Sequence, residues 1–337
     1  MKQKILILLF FSATNIFAQF DNVGTSVANF LKIGVGSRLE AMGGAGIATV
    51  NDPTSMYWNV AGLAHQELNE YTFAHNNWIA DIEQTFLGVG IPISFGTLGF
   101  QVSYLSMGDM KVTTWEKPEG TGAKFSANDV VFGIAFATRM SDRFSVGIQG
   151  KAVMEQISQS SANGLAIDIG ARYNTNWNGL TLALVIANFG TQMRLDGRDM
   201  RIKTDPYPTA GSNPADVIAN LEAQNWSMPL YFQLGTTFEV YNNDKLKILS
   251  NLDYRDERDY KPLLLYGAEV NYDNYLFARF GLNQRYNLYE EKNISPSFGG
   301  GVILKIPDMN YSIKIDYSYS VLQNLLEAQR ITISFQD

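Results

Sequence analysis

Leu165-Ala166-Ile167-Asp168-Ile169-Gly170-Ala171-Arg172-Tyr173 alternates without a break. Leu165, Ile167, Ile169, Ala171 and Tyr173 share one face; Ala166, Asp168, Gly170 and Arg172 share the other. A period of two is the signature of a strand with one apolar and one polar side. The pattern recurs in both directions along the chain. Phe144, Val146 and Ile148 oppose Ser145, Gly147, Gln149 and Lys151. Tyr311, Ile313, Ile315, Tyr317 and Tyr319 oppose Ser312, Lys314, Asp316, Ser318 and Ser320, and Ile331, Ile333 and Phe335 oppose Arg330, Thr332 and Ser334. A soluble sandwich seldom needs strands of ten or more residues, since the usual length is about five or six.

The connections sharpen the choice. From Asn69 onward the spacing predicts about fourteen strands, within the even-numbered range of outer-membrane barrels. Tight turns at Ser94-Phe95-Gly96, Met140-Ser141-Asp142, Asn242-Asn243-Asp244, Asp273-Asn274 and Pro307-Asp308 alternate with longer stretches at 107–128, 191–228 and 288–295. Short turns on one side and long loops on the other are the periplasmic and extracellular ends of such a barrel. Pro229, Pro262 and Pro296 are each expected to open a strand, where a missing N–H costs least. Tyr104, Tyr173, Tyr254, Tyr272, Tyr286 and Tyr311 suit interfacial girdles. The sequence thus predicts an all-β transmembrane antiparallel barrel over residues 69–337.

Composition agrees and excludes much else. Of 337 residues only 18% are charged, none is cysteine and two are histidine. Disulfides, thiolate nucleophiles and Cys-ligated metals are therefore excluded, and neither a metal site nor a cofactor is expected. His65 and His75 have no acid or serine at a persuasive spacing, so no enzyme is expected. Lys2 and Lys4 followed by the apolar run Ile5 to Phe11 and small Ala18 read as a signal peptide over 1–18, too short to span a bilayer. Without Lys2 and Lys4 the chain carries 24 basic and 33 acidic residues, a net charge of −9. Nucleic acid is not an expected partner of so acidic a chain.

Residues 19–68 do not alternate. Thr25 to Lys32 suggests a short helix, with Val27, Phe30 and Leu31 on one side. Phe30-Leu31-Lys32-Ile33-Gly34-Val35-Gly36-Ser37-Arg38 follows, then Met42-Gly43-Gly44-Ala45, then Tyr57-Trp58-Asn59-Val60-Ala61-Gly62-Leu63. These motifs resemble the PorV/PorQ family of Bacteroidetes outer-membrane proteins, related to the FadL-type transporters of hydrophobic compounds. The family's usual Asn-Pro-Ala-Gly reads Asn59-Val60-Ala61-Gly62 here, and Ala328 to Phe335 resembles its last strand. The resemblance implies a fourteen-stranded barrel with an N-terminal hatch inside the lumen. Its motif residues here are Arg38, Gly43, Gly44, Trp58, Asn59, Ala61 and Gly62.

The resemblance further implies an accessory subunit of type IX secretion or a related surface-export complex in a Gram-negative outer membrane. The partners would be lipid and either a larger outer-membrane protein or the C-terminal domain of a secreted substrate. The alternative is a FadL-like channel for small hydrophobic molecules. A fourteen-stranded lumen is wide enough to need a plug. Arg38, Glu40 and Asp52 are expected to pair there with inward-facing Lys151, Asp168, Arg172, Arg279, Lys314, Asp316 and Arg330, because buried charges need partners. In the longest loop, Asn213-Pro214-Ala215-Asp216 reads as a helix start. Val217, Ile218 and Leu221 then supply an apolar stripe, with Trp226 behind it; the loop reads as a lid over the barrel mouth, as a partner-binding surface or as a substrate gate.

Overall fold

The computed structural model describes residues 23–177, 179–205, 217–285, 293–305, 311–322 and 327–337. The signal-peptide reading, the 213–216 helix start and the Pro307-Asp308 turn lie outside them. Fourteen long strands close into an antiparallel barrel. They are β1 (Glu70–Asn77), β2 (Glu83–Ile93), β3 (Gly96–Lys111), β4 (Lys124–Arg139), β5 (Phe144–Ile157), β6 (Ser160–Asn174) and β7 (Thr181–Gly190). The ring continues with β8 (Tyr231–Asn242), β9 (Leu246–Glu257), β10 (Leu263–Tyr272), β11 (Leu276–Arg285), β12 (Asn293–Lys305), β13 (Ser312–Val321) and β14 (Glu327–Gln336). Each pairs with its neighbours in sequence, and β1 closes on β14 through Tyr71 opposite Phe335 and His75 opposite Ile331. No helix among the described residues is long and apolar enough to cross a membrane. The strands do so instead, because a closed ring satisfies every ladder group.

Alternation falls where the sequence puts it. Leu165, Ile167, Ile169 and Tyr173 are exposed on the outer surface, while Ala166 and Asp168 are buried inside. Tight turns follow the expected places; Asp273 and Asn274 both take positive φ, 56° and 52°, as a two-residue hairpin turn requires. Four readings are corrected. The β5–β6 connection on the long-loop side is only Ser158-Gln159, and the expected 107–128 loop shrinks to 112–123 because β3 and β4 run 16 residues each. Pro296 lies inside β12 rather than opening it, opposite Leu282 of β11. The 25–32 helix is confined to a single 3-10 turn, Asn29–Lys32, because Ala28 before it is left-handed.

The core of the molecule is the lumen. Residues 28–66 thread through it as short turns, and Leu39, Met42, Ile47, Val50, Met56, Trp58 and Leu63 are fully buried there. Leu39, Met42, Val50 and Trp58 pack with wall residues Ala183, Val185 and Tyr231; Met56 and Leu63 pack with Ala74, Phe86 and Ala135. An apolar plug inside a polar-lined barrel must meet small or apolar wall positions, and these are the ones it meets.

Candidate functional site

The plug is held by charge as well as by apolar contact. Arg38, on the short helix Ser37–Ala41, donates to Glu269 of β10. Glu269 also accepts from Arg279 Nε at 2.6 Å, and Arg279 Nη1 reaches Asp316 Oδ1 at 2.6 Å. Lys314 Nζ stands 3.4 Å from Asp316 Oδ2. Burial is the largest single influence and would lower the Arg38 pKa, but the charge and hydrogen bonding of Glu269, with the charges of Asp52 and Asp316, together raise it above its ordinary value. A second tie joins plug Glu40 Oε2 to Arg330 Nη2 at 3.0 Å. A third is neutral on the plug side: Gly46 and Ile47 N–H donate to Asp253 of β9 at 2.9 and 3.2 Å.

The motif residues act locally. Asn59 accepts from Ala61 N–H at 3.1 Å and donates to Ile47 O at 2.9 Å and to wall Ala171 O at 3.3 Å. Trp58 Nε1 donates to Val35 O at 2.7 Å. Gly43 has φ +68°, and Gly44, also at positive φ, lies against the Trp58 ring. A Cβ on Gly62 would sit 2.4 Å from Val50 O. On the wall, a Cβ added to Gly281 would sit 2.0 Å from Met42 C and 2.1 Å from Gly43 N, so plug and barrel backbones touch directly there.

The expected charge pairing holds in part. Arg38, Arg279, Asp316, Lys314 and Arg330 join the plug network, but through Glu40 and Glu269, the latter unmarked in the sequence. Lys151 and Asp168 pair with each other at 2.8 Å rather than with the plug. Arg172 has a buried Nε without a hydrogen-bond partner among the described residues. Asp52 turns inward on its own segment, accepting from Thr54 N–H at 2.9 Å and from its hydroxyl.

At the lower end of the plug, His65 Nε2 lies 3.1 Å from Ser145 Oγ. Burial, together with the nearby Arg172 and Arg139, pushes the imidazole pKa down to about 3. No acid orients it.

The outer mouth holds a cavity of about 800 Å³ between the plug and the N-terminal segment. Phe30, Ile33, Trp58, Trp78, Leu105 and Leu265 are among the apolar residues lining it, with Asp129, Glu155, Arg255 and Arg330 among the charged ones. The N-terminal segment is strapped across the mouth. Lys32 Nζ is 2.5 Å from Asp259 Oδ2, Ser26 donates to the same carboxylate, and Val27 N–H donates to Ser227 O at 3.1 Å.

Between β7 and β8, residues 191–205 and 217–230 are paired with one another. Val217–Asn220 is a strand paired with Arg201–Thr204, not the helix expected from its apolar stripe. Val217 and Ile218, opposite Thr204 and Lys203, are β-branched residues that suit a strand. Trp226 pairs with Met193, and Arg198 N–H donates to Gln159 O at 3.1 Å, bracing the loop on the β5–β6 turn. Val217, Ile218, Leu221 and Trp226 are all exposed, as is Ile202 beside them. Sequence reading missed Trp115, 98% exposed on a 112–123 loop pinned by Val112 N–H to Ala123 O at 2.9 Å. An indole between Thr114 and Glu116 in a long loop was the available signal.

A family model described as type IX secretion system protein PorV matches residues 17–196. No curated protein matches the chain. Among solved structures, the CymD monoaromatic hydrocarbon channel is 15% identical with a TM-score of 0.59, covering 90% of this chain and 97% of its own. The Pseudomonas putida toluene transporter TodX is 12% identical, TM-score 0.59, covering 90% and 98%. The Ralstonia pickettii toluene transporter TbuX is 13% identical, TM-score 0.55, covering 92% and 99%. At these identities the likeness is one of fold.

Proposed function

The chain belongs to the PorV family of type IX secretion system proteins, and on that premise we propose that it is a non-enzymatic accessory subunit of type IX secretion, docked in an outer-membrane complex through its external loops. The observation that carries this reading is the paired stretch 217–227, which presents Ile218, Leu221 and Trp226 on hydrogen-bonded backbone. A cover needs only to be soluble, whereas aromatic anchors flanked by charge are what interfaces favour. The plug supports the same reading. Its buried ion pairs suit a barrel that presents a surface more than one that conducts. The partner is a larger outer-membrane protein or the C-terminal domain of a secreted substrate, in the outer membrane of a Bacteroidetes-like bacterium, reached through a cleaved signal peptide.

The test is recovery of a partner from detergent-solubilised membranes. Trp226→Ala with Leu221→Ser should leave heat-modifiable barrel migration unchanged and reduce partner recovery. A second reading, a FadL-like channel for small hydrophobic molecules, is favoured by the largely apolar 800 Å³ cavity. Unchanged recovery alongside impaired uptake of a hydrophobic compound would overturn the first reading and favour this one.

A further inference from the structure

Asp129 of β4 and Glu155 of β5 stand directly opposite each other in register, both lining the outer cavity. Asp129 is 4% exposed and has no hydrogen-bond or ion-pair partner among the described residues. Glu155 accepts one backbone N–H, from Ala28, itself held at φ 54°. Each of the two carboxylates has the other as its charged neighbour, and no cation among the described residues offsets either. The cations on the same cavity are engaged elsewhere: Lys32 with Asp259, Arg285 with Glu257 and Arg330 with Glu40. Arg255 donates to Gln233 and stacks on Trp58 and Tyr231.

Like charges directly opposite on adjacent strands destabilise a sheet, and a buried charge without a partner is costly. Two carboxylates placed so, beside an open volume, call for a cation from outside. A hard metal ion is a poor match. It wants six or more oxygens, yet the flanking register positions are Leu105 and Ala162. Phe30, Ile82 and Met107 line the same cavity, and no group of three or more metal-binding side chains exists among the described residues. An ammonium or guanidinium fits instead, donating several N–H bonds to two acceptors while its apolar body lies on the hydrocarbon wall.

We propose that the outer lumen binds an organic cation, an ammonium or guanidinium on an apolar body, with the charged group between Asp129 and Glu155. This site does not depend on the secretion reading. The source is a free amine or a basic side chain of a polypeptide, and the chemistry at the two carboxylates is the same.

The experiment is calorimetric titration of the full chain in neutral detergent at pH 8. The probes are 2-phenylethylamine, 2-phenylethanol, 3-phenylpropanoate, N-acetyl-lysine methylamide and calcium chloride. The expected result is saturable amine binding at least tenfold tighter than the alcohol, falling to the alcohol's level in Asp129→Asn. Glu155→Gln serves where Asp129→Asn fails the heat-modifiability check. Binding of the lysine derivative with the same sensitivity supports the site and assigns it to polypeptide side chains. Binding of the amine alone supports it and assigns it to small molecules. The proposal is overturned if amine and alcohol bind alike, if the carboxylate binds tightest, if calcium displaces the amine, or if the variants bind the amine unchanged.

Discussion

Arg38 grips Glu269 with both prongs of its guanidinium, Nε at 3.0 Å from Oε2 and Nη2 at 2.9 Å from Oε1. This fork is the centre of the plug's attachment, because the same carboxylate holds Arg279 and through it Asp316. Removing one member of a buried charge network leaves the others uncompensated, at about 3–5 kcal/mol. Arg38→Met should therefore loosen the plug while the barrel still assembles. Single-channel recording in planar bilayers checks this. An ion current as low as that of the unaltered protein would show that the fork does not hold the plug.

Deleting residues 19–62 removes most of the plug. The remaining ring should insert and pass small ions steadily, since about fourteen strands enclose more space than their own side chains fill. Equal conductance with and without the segment would mean it does not seal the lumen.

The Gly281 contact offers a gentler version. A methyl group there meets Met42 and Gly43 backbone at 2.0–2.1 Å, and backbone cannot rotate away. Gly281→Ala should raise protease sensitivity in residues 28–66 without altering the barrel's heat-modifiable migration.

Much of this was legible in the sequence. The ring, its strand count and its outward faces follow from period-two alternation, which is a local property. The plug's partners were half legible: Arg38, Arg279, Asp316 and Arg330 stood out as inward charges. Glu269 did not, although it alternates with exposed Val270, because parity gives a face but not a height along the strand. The 217–221 stripe misled for a related reason, since four apolar residues in five satisfy a helix turn and a strand equally. Asp129 and Glu155 came together only through the β4–β5 register, which alternation leaves free.

The plug also alters which positions tolerate charge. Ile167, exposed on the outside, should lose about 2–4 kcal/mol as arginine if it lies near the bilayer midplane. Alternation alone predicts that Ser145 and Ser318, on the lumen side, take arginine more mildly. Both are almost wholly buried, and Ser145 touches His65 of the plug. Arginine at Ser145 should thus disturb the plug while sparing insertion. Folding titration and conductance, read together, separate the two effects.

His65 gives a pH dependence. Its folded pKa, about 3, lies below the ordinary value of 6.5. Protons therefore bind the undocked form first. The contribution is complete above pH 6.5 and is lost as pH falls from there toward 3. Plug protection against protease should weaken across that window and become flatter in His65→Gln. A slope equal in both proteins would assign the effect to another group.

Ser37 N–H donates to Thr332 Oγ1 at 2.8 Å, across 295 positions of chain. The plug, which precedes every strand of the ring, is thereby fastened to β14, the strand that also seals the ring against β1. Contacts so distant in sequence form late. Until the ring closes the plug has no complete wall to bind, so its charges and peptide groups stay in water. Closure of the ring and seating of the plug thus share one final step, and a chain lacking β14 would be left with an open edge and a loose plug together.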